Sequence, residues 1–290
     1  MIAYIIHGST VTDYFEYEYY KKRYYERKSF VTFKRAKKYW DVLHKQEYID
    51  ELYDKLKMYK NFNKYLGREY IYITETSFEE FSSLCKKNNE LIAKPYKSSC
   101  GIGVKKIIIE EYGDLKELYK ELKNEDIILE EYIDQLKEVA EFHPSSVNTI
   151  RVTTVFKDSK VHIMNAAFRM GNNFANIDNH AAGGIVAAID KETGVVSSSG
   201  IDKYSNRYLY HPVTNKQIIG YSIPFWEEII NLAKELATVI PEIGYVGWDI
   251  ALTESGPLLI EGNYRGMFDV QQQADQIGKR STYDEIVLGL

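Results

Sequence analysis

Val246-Gly247-Trp248-Asp249-Ile250-Ala251-Leu252-Thr253 and Leu258-Leu259-Ile260-Glu261-Gly262-Asn263 read as two strands, with Glu254-Ser255-Gly256-Pro257 between them. The glycine there suits the left-handed position of a three-residue hairpin turn. A turn centred on Ser255 pairs Thr253 with Pro257, Ala251 with Leu259, Asp249 with Glu261 and Gly247 with Asn263. The opposite face then carries Trp248, Ile250, Leu252, Leu258 and Ile260, which is a core face. Two carboxylates are thus expected directly across from each other, their Cβ atoms about 5 Å apart. Like charges so placed are destabilising unless a positive charge lies between them. A hard cation such as magnesium takes carboxylate and amide oxygens and shares them with phosphates. Asn263, two residues past Glu261, points the same way, so Asp249, Glu261 and Asn263 form the expected metal set. The competing reading is a chance pair of acids on an exposed sheet.

Working outward, the second half of the chain is rich in short β-type runs. They are 91–94, 104–109, 127–133, 149–156, 161–168, 185–189 and the two strands of the hairpin, with helices expected at 114–122, 224–240 and 273–287. Residues 13–66 instead show apolar side chains at helical spacing, such as Tyr39, Trp40 and Leu43, then Ile49, Leu52 and Leu56. Mostly antiparallel strands with intervening helices indicate an α+β fold of two lobes around a cleft. The expected units are a helical segment over 1–66, a lobe with a glycine-rich loop over 67–133 and a metal-binding lobe over 134–290.

That loop is Ser98-Ser99-Cys100-Gly101-Ile102-Gly103, set between strands, with Lys94 just upstream. Strand–loop–strand order excludes a Walker loop or a Rossmann turn, both of which run into a helix. It fits a hairpin lid whose backbone N–H groups cradle phosphates, with Lys94 adding a point charge; a plain turn beside a surface lysine is the alternative. The lysine precedes the loop and no His-Arg-Asp or Asp-Phe-Gly follows, which argues against a protein kinase.

The 290 residues, 44% hydrophobic and 27% charged, describe an ordinary globular chain. Two cysteines are too few for a disulfide framework and suit a reducing compartment. No run approaches the roughly 18 apolar residues of a membrane span. A cytoplasmic location without a transmembrane segment is therefore expected. The net charge of −5 is uneven: residues 1–64 hold 14 Lys/Arg against 9 Asp/Glu, a surplus of five, and the rest sums to −10. This basic, tyrosine-rich front is either a solvated helical face or a surface for an acidic partner. Arginine is scarce, nine against 28 lysines. Arginines inside apolar strands therefore invite bidentate recognition of phosphate or carboxylate.

Lys94 with its glycine loop, Ile128-Leu129-Glu130-Glu131-Tyr132-Ile133 and Asp249…Glu261-Gly262-Asn263 occur in that order. Together they resemble the ATP-grasp superfamily. Asn61-Phe62-Asn63…Gly67-Arg68-Glu69, Ser146-Val147-Asn148-Thr149-Ile150-Arg151 and Asp178-Asn179-His180-Ala181-Ala182-Gly183-Gly184 narrow the likeness to its sugar-transfer-associated members, over about residues 13–275. The resemblance implies a role for each matching residue. Lys94 holds the α- and β-phosphates of ATP under the lid of Ser98, Ser99, Gly101 and Gly103. Glu130, Glu131, Tyr132 and Ile133 form the interlobe strand, where backbone groups of Glu131 and Ile133 meet adenine. Gln135 or Asn148 takes the ribose. Asp249, Glu261 and Asn263 bind two magnesium ions, for which manganese can substitute. Arg169 faces the γ-phosphate and Arg265 stabilises the transferred phosphoryl group or an acyl phosphate.

Arg151 has two readings, structural pairing with an acid such as Glu130 or a functional role. His180 is either a capped loop histidine or a substrate contact, and His143, Trp226 and Trp248 are expected to be structural. The implied activity is a carboxylate–amine or carboxylate–hydroxyl ligase working through an acyl phosphate. Its expected substrates are a small carboxylate such as an amino acid and an amine or hydroxyl acceptor, sugar-linked by family context in surface-polysaccharide biosynthesis. A homodimer is expected and nucleic acid is not an expected partner. Competing readings are a sugar kinase and a non-catalytic ATP-binding module of a glycan assembly complex. The chain departs from many such ligases in one respect: a short helical segment stands where they carry a Rossmann-like domain.

Overall fold

The computed structural model describes residues 7–97, 102–172, 183–266 and 268–290. The front is a series of short helices: α1 (Val11–Glu16), α2 (Tyr24–Lys28), α3 (Phe33–Leu43), α4 (Asp50–Tyr53), α5 (Lys55–Asn61) and α6 (Asn63–Leu66). α3 buries Ala36, Tyr39, Trp40 and Leu43 along one stripe, as its spacing requires. Asp54 caps α5 by accepting the Lys57 N–H at 3.0 Å, and Gly67, in the left-handed conformation, ends α6.

A four-stranded antiparallel sheet follows. Its strands are β1 (Tyr70–Tyr72), β2 (Glu90–Pro95), β3 (Lys105–Ile108) and β4 (Ile127–Glu131), in spatial order β1-β4-β2-β3. Helices α7 (Phe78–Lys87) and α8 (Leu115–Lys123) accompany it. Phe81, Leu84, Leu118 and Leu122 from these helices share one core with Leu91, Ile107 and Leu129 from the strands. β2 and β3 form the hairpin expected around the glycine-rich loop. β1 and α7 were not expected.

Beyond the short helix α9 (Lys137–Ala140) lies a seven-stranded antiparallel sheet in the order β11-β10-β5-β6-β7-β8-β9. Its strands are β5 (Thr149–Lys157), β6 (Lys160–Met170), β7 (Ile185–Ile189), β8 (Gly200–Ile201), β9 (Arg207–Tyr208), β10 (Tyr245–Thr253) and β11 (Gly256–Asn263). Helix α10 (Trp226–Val239) covers one face, burying Ile229, Ala233 and Leu236 against Ile150, Val152, Phe168, Trp248 and Ile250. The expected helix over 273–287 is instead α11 (Phe268–Asp275), α12 (Arg280–Tyr283) and a π-turn over 284–288. Gln276 at φ +58 breaks it, and Gly278 lies so close to Ser29 that a Cβ would sit 2.1 Å from the serine Oγ. Two antiparallel sheets with their helices make this an α+β fold, as expected.

The hairpin departs from expectation at its turn. Thr253 pairs with Gly256, so the loop has two residues, and Leu252 faces Pro257, Ala251 faces Leu258 and Ile250 faces Leu259. A β-bulge at Ile260 then shifts the register, and Asp249 faces Glu261 and Gly247 faces Asn263 as expected. The bulge exchanges the faces of the apolar residues. Leu259, not Leu258 or Ile260, joins Trp248, Ile250 and Leu252 in the main core. Leu258 packs with Ala251 and Ile133 on the other side. Without the bulge, Glu261 would point into the core.

Candidate functional site

Alternation along the strands places four charged residues in a row. Asp249 on β10 has Glu261 across it on β11 and Arg151 across it on β5. Arg151 is opposite Ala167 on β6, so Arg169, two residues on, shares its face. The side chains use this placement. Arg151 Nη2 lies 2.7 Å from Asp249 Oδ2, and its Nε donates to Oδ1 in a bidentate pair. Arg169 Nη1 reaches Oδ2 at 2.6 Å. The partner of Arg151 is therefore Asp249 and not Glu130: β5 lies beside β10, whereas Glu130 belongs to the other sheet. Gly247 makes room for this fork, since a Cβ there would meet Arg151 Cδ at 3.0 Å.

The two acids respond in opposite directions. Burial opposes ionisation of Asp249, which is 2% exposed, yet the guanidiniums of Arg151 and Arg169 hold its carboxyl far below the usual range. Glu261 is pushed up, first because protein crowds its carboxyl and then by the Asp249 charge, although the residue as a whole is exposed to solvent. The Asn263 amide N–H2 bridges the pair, 3.2 Å from Glu261 and 3.4 Å from Asp249. Two carboxylates and a carboxamide converging on one face form the oxygen-rich donor set of a hard divalent cation, so these residues fit magnesium. Among the described residues no group of three His, Cys, Asp or Glu side chains is placed to hold a metal. The fit therefore rests on two acids and an amide.

A second cluster faces the row. Glu130, 1% exposed, has Arg68 Nε at 2.6 Å and the Lys94 ammonium at 2.8 and 2.9 Å from its two oxygens, and it accepts the Tyr59 hydroxyl. Burial would raise its pKa, but Arg68 and Lys94 override that and hold it at about 2. Glu130 thus anchors Lys94 from below and has no free carboxylate edge. Arg68 also donates to the carbonyls of Leu259 at 2.7 Å and Ile260 at 3.3 Å, the two residues of the bulge that sets Glu261 opposite Asp249. Sequence reasoning included Arg68 in a motif but assigned it no task; its signal is the scarcity of arginine.

Lys55 was missed altogether. Its amine donates to the Pro95 carbonyl at the root of the lid. Burial lowers its pKa, against the Glu261 and Glu130 charges and together with Lys94, which places the amine among the three. Nothing in the sequence separates it from 27 other lysines. The neighbouring Asp54 accepts the Tyr96 hydroxyl, so the front segment grips both ends of the Pro95-Tyr96 step.

The remaining expected residues distribute unevenly. Ser98, Ser99 and Gly101, like Asp178 to Ala182 with His180, lie outside the described residues. Gly103 has φ +79, and a Cβ would come within 2.8 Å of Pro95 Cγ, so the backbone at this position requires glycine. The Glu131 N–H donates to the Glu69 carbonyl at 3.0 Å, which removes it as an adenine donor. Tyr132 lies under the Lys106 ammonium at 4.2 Å, and Ile133 packs on Ala251 and Leu258. Neither ribose candidate is free: Asn148 is 1% exposed, and its amide donates to Gln135, Val139 and His143 while accepting from the Gly171 N–H. Both side chains brace the turn before β5. The Arg265 guanidinium rests on Trp40 and Tyr264, 5.9 and 5.2 Å from the ring centroids, at the rim beside Asn263.

A family model described as sugar-transfer associated ATP-grasp matches residues 16–286. No curated protein matches the sequence. Among solved structures, the chain is similar to the ATP-grasp ligase PsnB in complex with minimal precursor, Mg and ADP, at 12% identity and TM-score 0.52, covering 85% of this chain and 61% of that one. It is also similar to N5-carboxyaminoimidazole synthetase from Staphylococcus aureus in complex with ADP, at 12% identity and TM-score 0.54, covering 85% of this chain and 54% of that one. The chain thus spans under two thirds of these neighbours, and the likeness concerns the fold.

Proposed function

Because the chain belongs to the sugar-transfer associated ATP-grasp family, we propose that it is an ATP- and magnesium-dependent ligase that activates a carboxylate and joins it to an amine or hydroxyl. The observation that carries this reading is the charge of the cleft. Five cations, Lys55, Arg68, Lys94, Arg151 and Arg169, stand with three carboxylates, Glu130, Asp249 and Glu261, in one connected cluster. The surplus of two positive charges suits a polyphosphate arriving with a divalent ion.

Lys94 and Lys55 meet the phosphates from the lid side, where Gly103 closes the loop, and Ile133 meets the base at the joint between a lid lobe (67–133) and a metal lobe (134–290). Asp249, Glu261 and Asn263 hold the divalent ion, which when bound neutralises phosphate charge and ties it to β10 and β11. Arg151 and Arg169, which neutralise Asp249 in the free protein, would be available to phosphate oxygens if a divalent ion shared that carboxylate. Arg265 at the rim steadies the activated carboxylate. A sugar-linked acceptor accords with the description of the family, and a small carboxylate such as an amino acid is the proposed donor.

The test is ATP consumption with magnesium and pooled carboxylates and amino-sugars in the presence of hydroxylamine. A hydroxamate is the expected product, trapped from an acyl phosphate. A phosphorylated sugar with no hydroxamate makes the protein a kinase. Tight ATP binding without turnover in any pool makes it a binding module.

A further inference from the structure

We propose that the front of the molecule docks on an anionic lipid surface. Between Tyr17 and Lys45 the chain carries ten Lys/Arg against three Asp/Glu. Its exposed positions also hold large apolar side chains. Helix α3 turns one stripe into the core and presents Phe33, Lys34, Lys37, Lys38 and Val42 outward. Phe33 is 57% and Val42 54% exposed, and close by stand Tyr24 at 60% and Val11 at 75%. The three lysines are exposed and make no ion pair among the described residues.

These side chains form one surface. The His7 ring lies 5.2 Å from Tyr24, and the next residue, Gly8, packs directly on the Lys34 stem. The Phe33 N–H donates to Asp13 in α1, the helix that begins with Val11. The patch therefore runs from α2 across residues 7–11 to the outer face of α3.

Charge alone would suit any polyanion. Aromatic and aliphatic side chains exposed among lysines suit an interface that takes apolar groups at headgroup depth while phosphates take the ammonium groups. Lysine stems lie along apolar surface and leave the charge at its edge, which an acidic soluble protein does not require. No described helix is long and apolar enough to cross a membrane, so the contact is peripheral. The inner face of α3 carries Trp40 beneath Arg265. A docked α3 would thus hold the cleft rim about one helix diameter, roughly 10 Å, above the headgroups.

The test is flotation of the full chain with phosphatidylcholine vesicles, with and without phosphatidylglycerol. Binding to the anionic vesicles alone is expected, falling as salt rises. Lys34→Ala/Lys37→Ala/Lys38→Ala should lower partitioning by about a hundredfold. Phe33→Ser should lower it by about tenfold at every salt concentration. Circular dichroism and unchanged ATP binding check that both variants are folded. Absence of binding to anionic vesicles overturns the proposal. So does retention of wild-type binding by Phe33→Ser, or a preference for soluble heparin over vesicles that Phe33→Ser leaves intact, since either outcome assigns the surface to a soluble polyanion.

Discussion

Replacing Glu130 by Gln keeps the shape of a buried side chain and removes the charge that Arg68, Lys94 and Tyr59 converge on. A carboxyl at about 2 in the folded protein, against an ordinary 4.5, favours the fold by about 3 kcal/mol at neutral pH, taking 1.36 kcal/mol per pH unit. Removing one partner of a buried pair costs about 3–5 kcal/mol because the other charge is left unpaired. Both routes give a loss of about 3 kcal/mol for Glu130→Gln at pH 7.

The pH dependence identifies the cause. Because the folded pKa is depressed, the contribution is fully present above the unfolded value and is lost as pH falls toward 2. The gap between wild type and variant should therefore narrow from about 3 kcal/mol at pH 7 to about 2 kcal/mol at pH 3.5. Urea unfolding of both proteins at the two pH values measures it, and the difference cancels the acids they share. A gap under about 1 kcal/mol at pH 7, or one that does not move with pH, refutes the assignment of Glu130 as the ionised anchor of Lys94.

Glu261→Gln and Asp249→Asn should separate. The first relieves a carboxyl that its neighbours disfavour, so the free protein should melt no lower than wild type while ATP turnover is lost. The second leaves Arg151 and Arg169 without their anion and should cost about 3 kcal/mol as well as turnover; thermal melts with and without magnesium-ATP read both. Lys55→Ala should weaken ATP binding by about tenfold, a charge-assisted contact being worth about 1.5 kcal/mol, as isothermal titration will show. Gly171→Ala would bring a Cβ within 2.2 Å of His143 Nδ1 and 2.3 Å of Ser146 Oγ. It should lower stability by about 1–3 kcal/mol, read by chemical denaturation.

The long strands were legible because they are sustained apolar β-type runs, with β7 and β10 buried along nearly their whole length. β7 matches its expected limits, and β5, β6 and β10 extend theirs by only one to three residues. β1 was not legible, since three residues paired only to β4 carry no period. α7 was missed although Ser77 and Glu80 form a capping box around its start. The bulge had a visible trace: Leu258-Leu259-Ile260 places three apolar residues in succession, and strict alternation cannot put all of them inside. Its location was hidden, because Arg68 holds it from a segment some 190 residues earlier. The partner of Arg151 was hidden for the same reason, since β5 meets β10 only through the fold.

The row on the large sheet also shows why two acids facing each other need not imply a cation by themselves. Arg151 and Arg169 already neutralise Asp249, so that carboxylate has a sufficient structural explanation. Glu261 does not. It accepts from the Asn263 amide, its carboxyl is pushed upward beside Asp249, and the residue is exposed to solvent. The unrelieved electrostatic cost of the hairpin is therefore concentrated on one accessible group, where a soluble cation can remove it. Two neighbouring carboxyls are pushed in opposite directions: Asp249 is held charged by its arginines, and Glu261 carries the cost that a divalent ion would relieve in the proposed reading. Within the proposed set of two acids and an amide, Glu261 thus carries the electrostatic part of the argument.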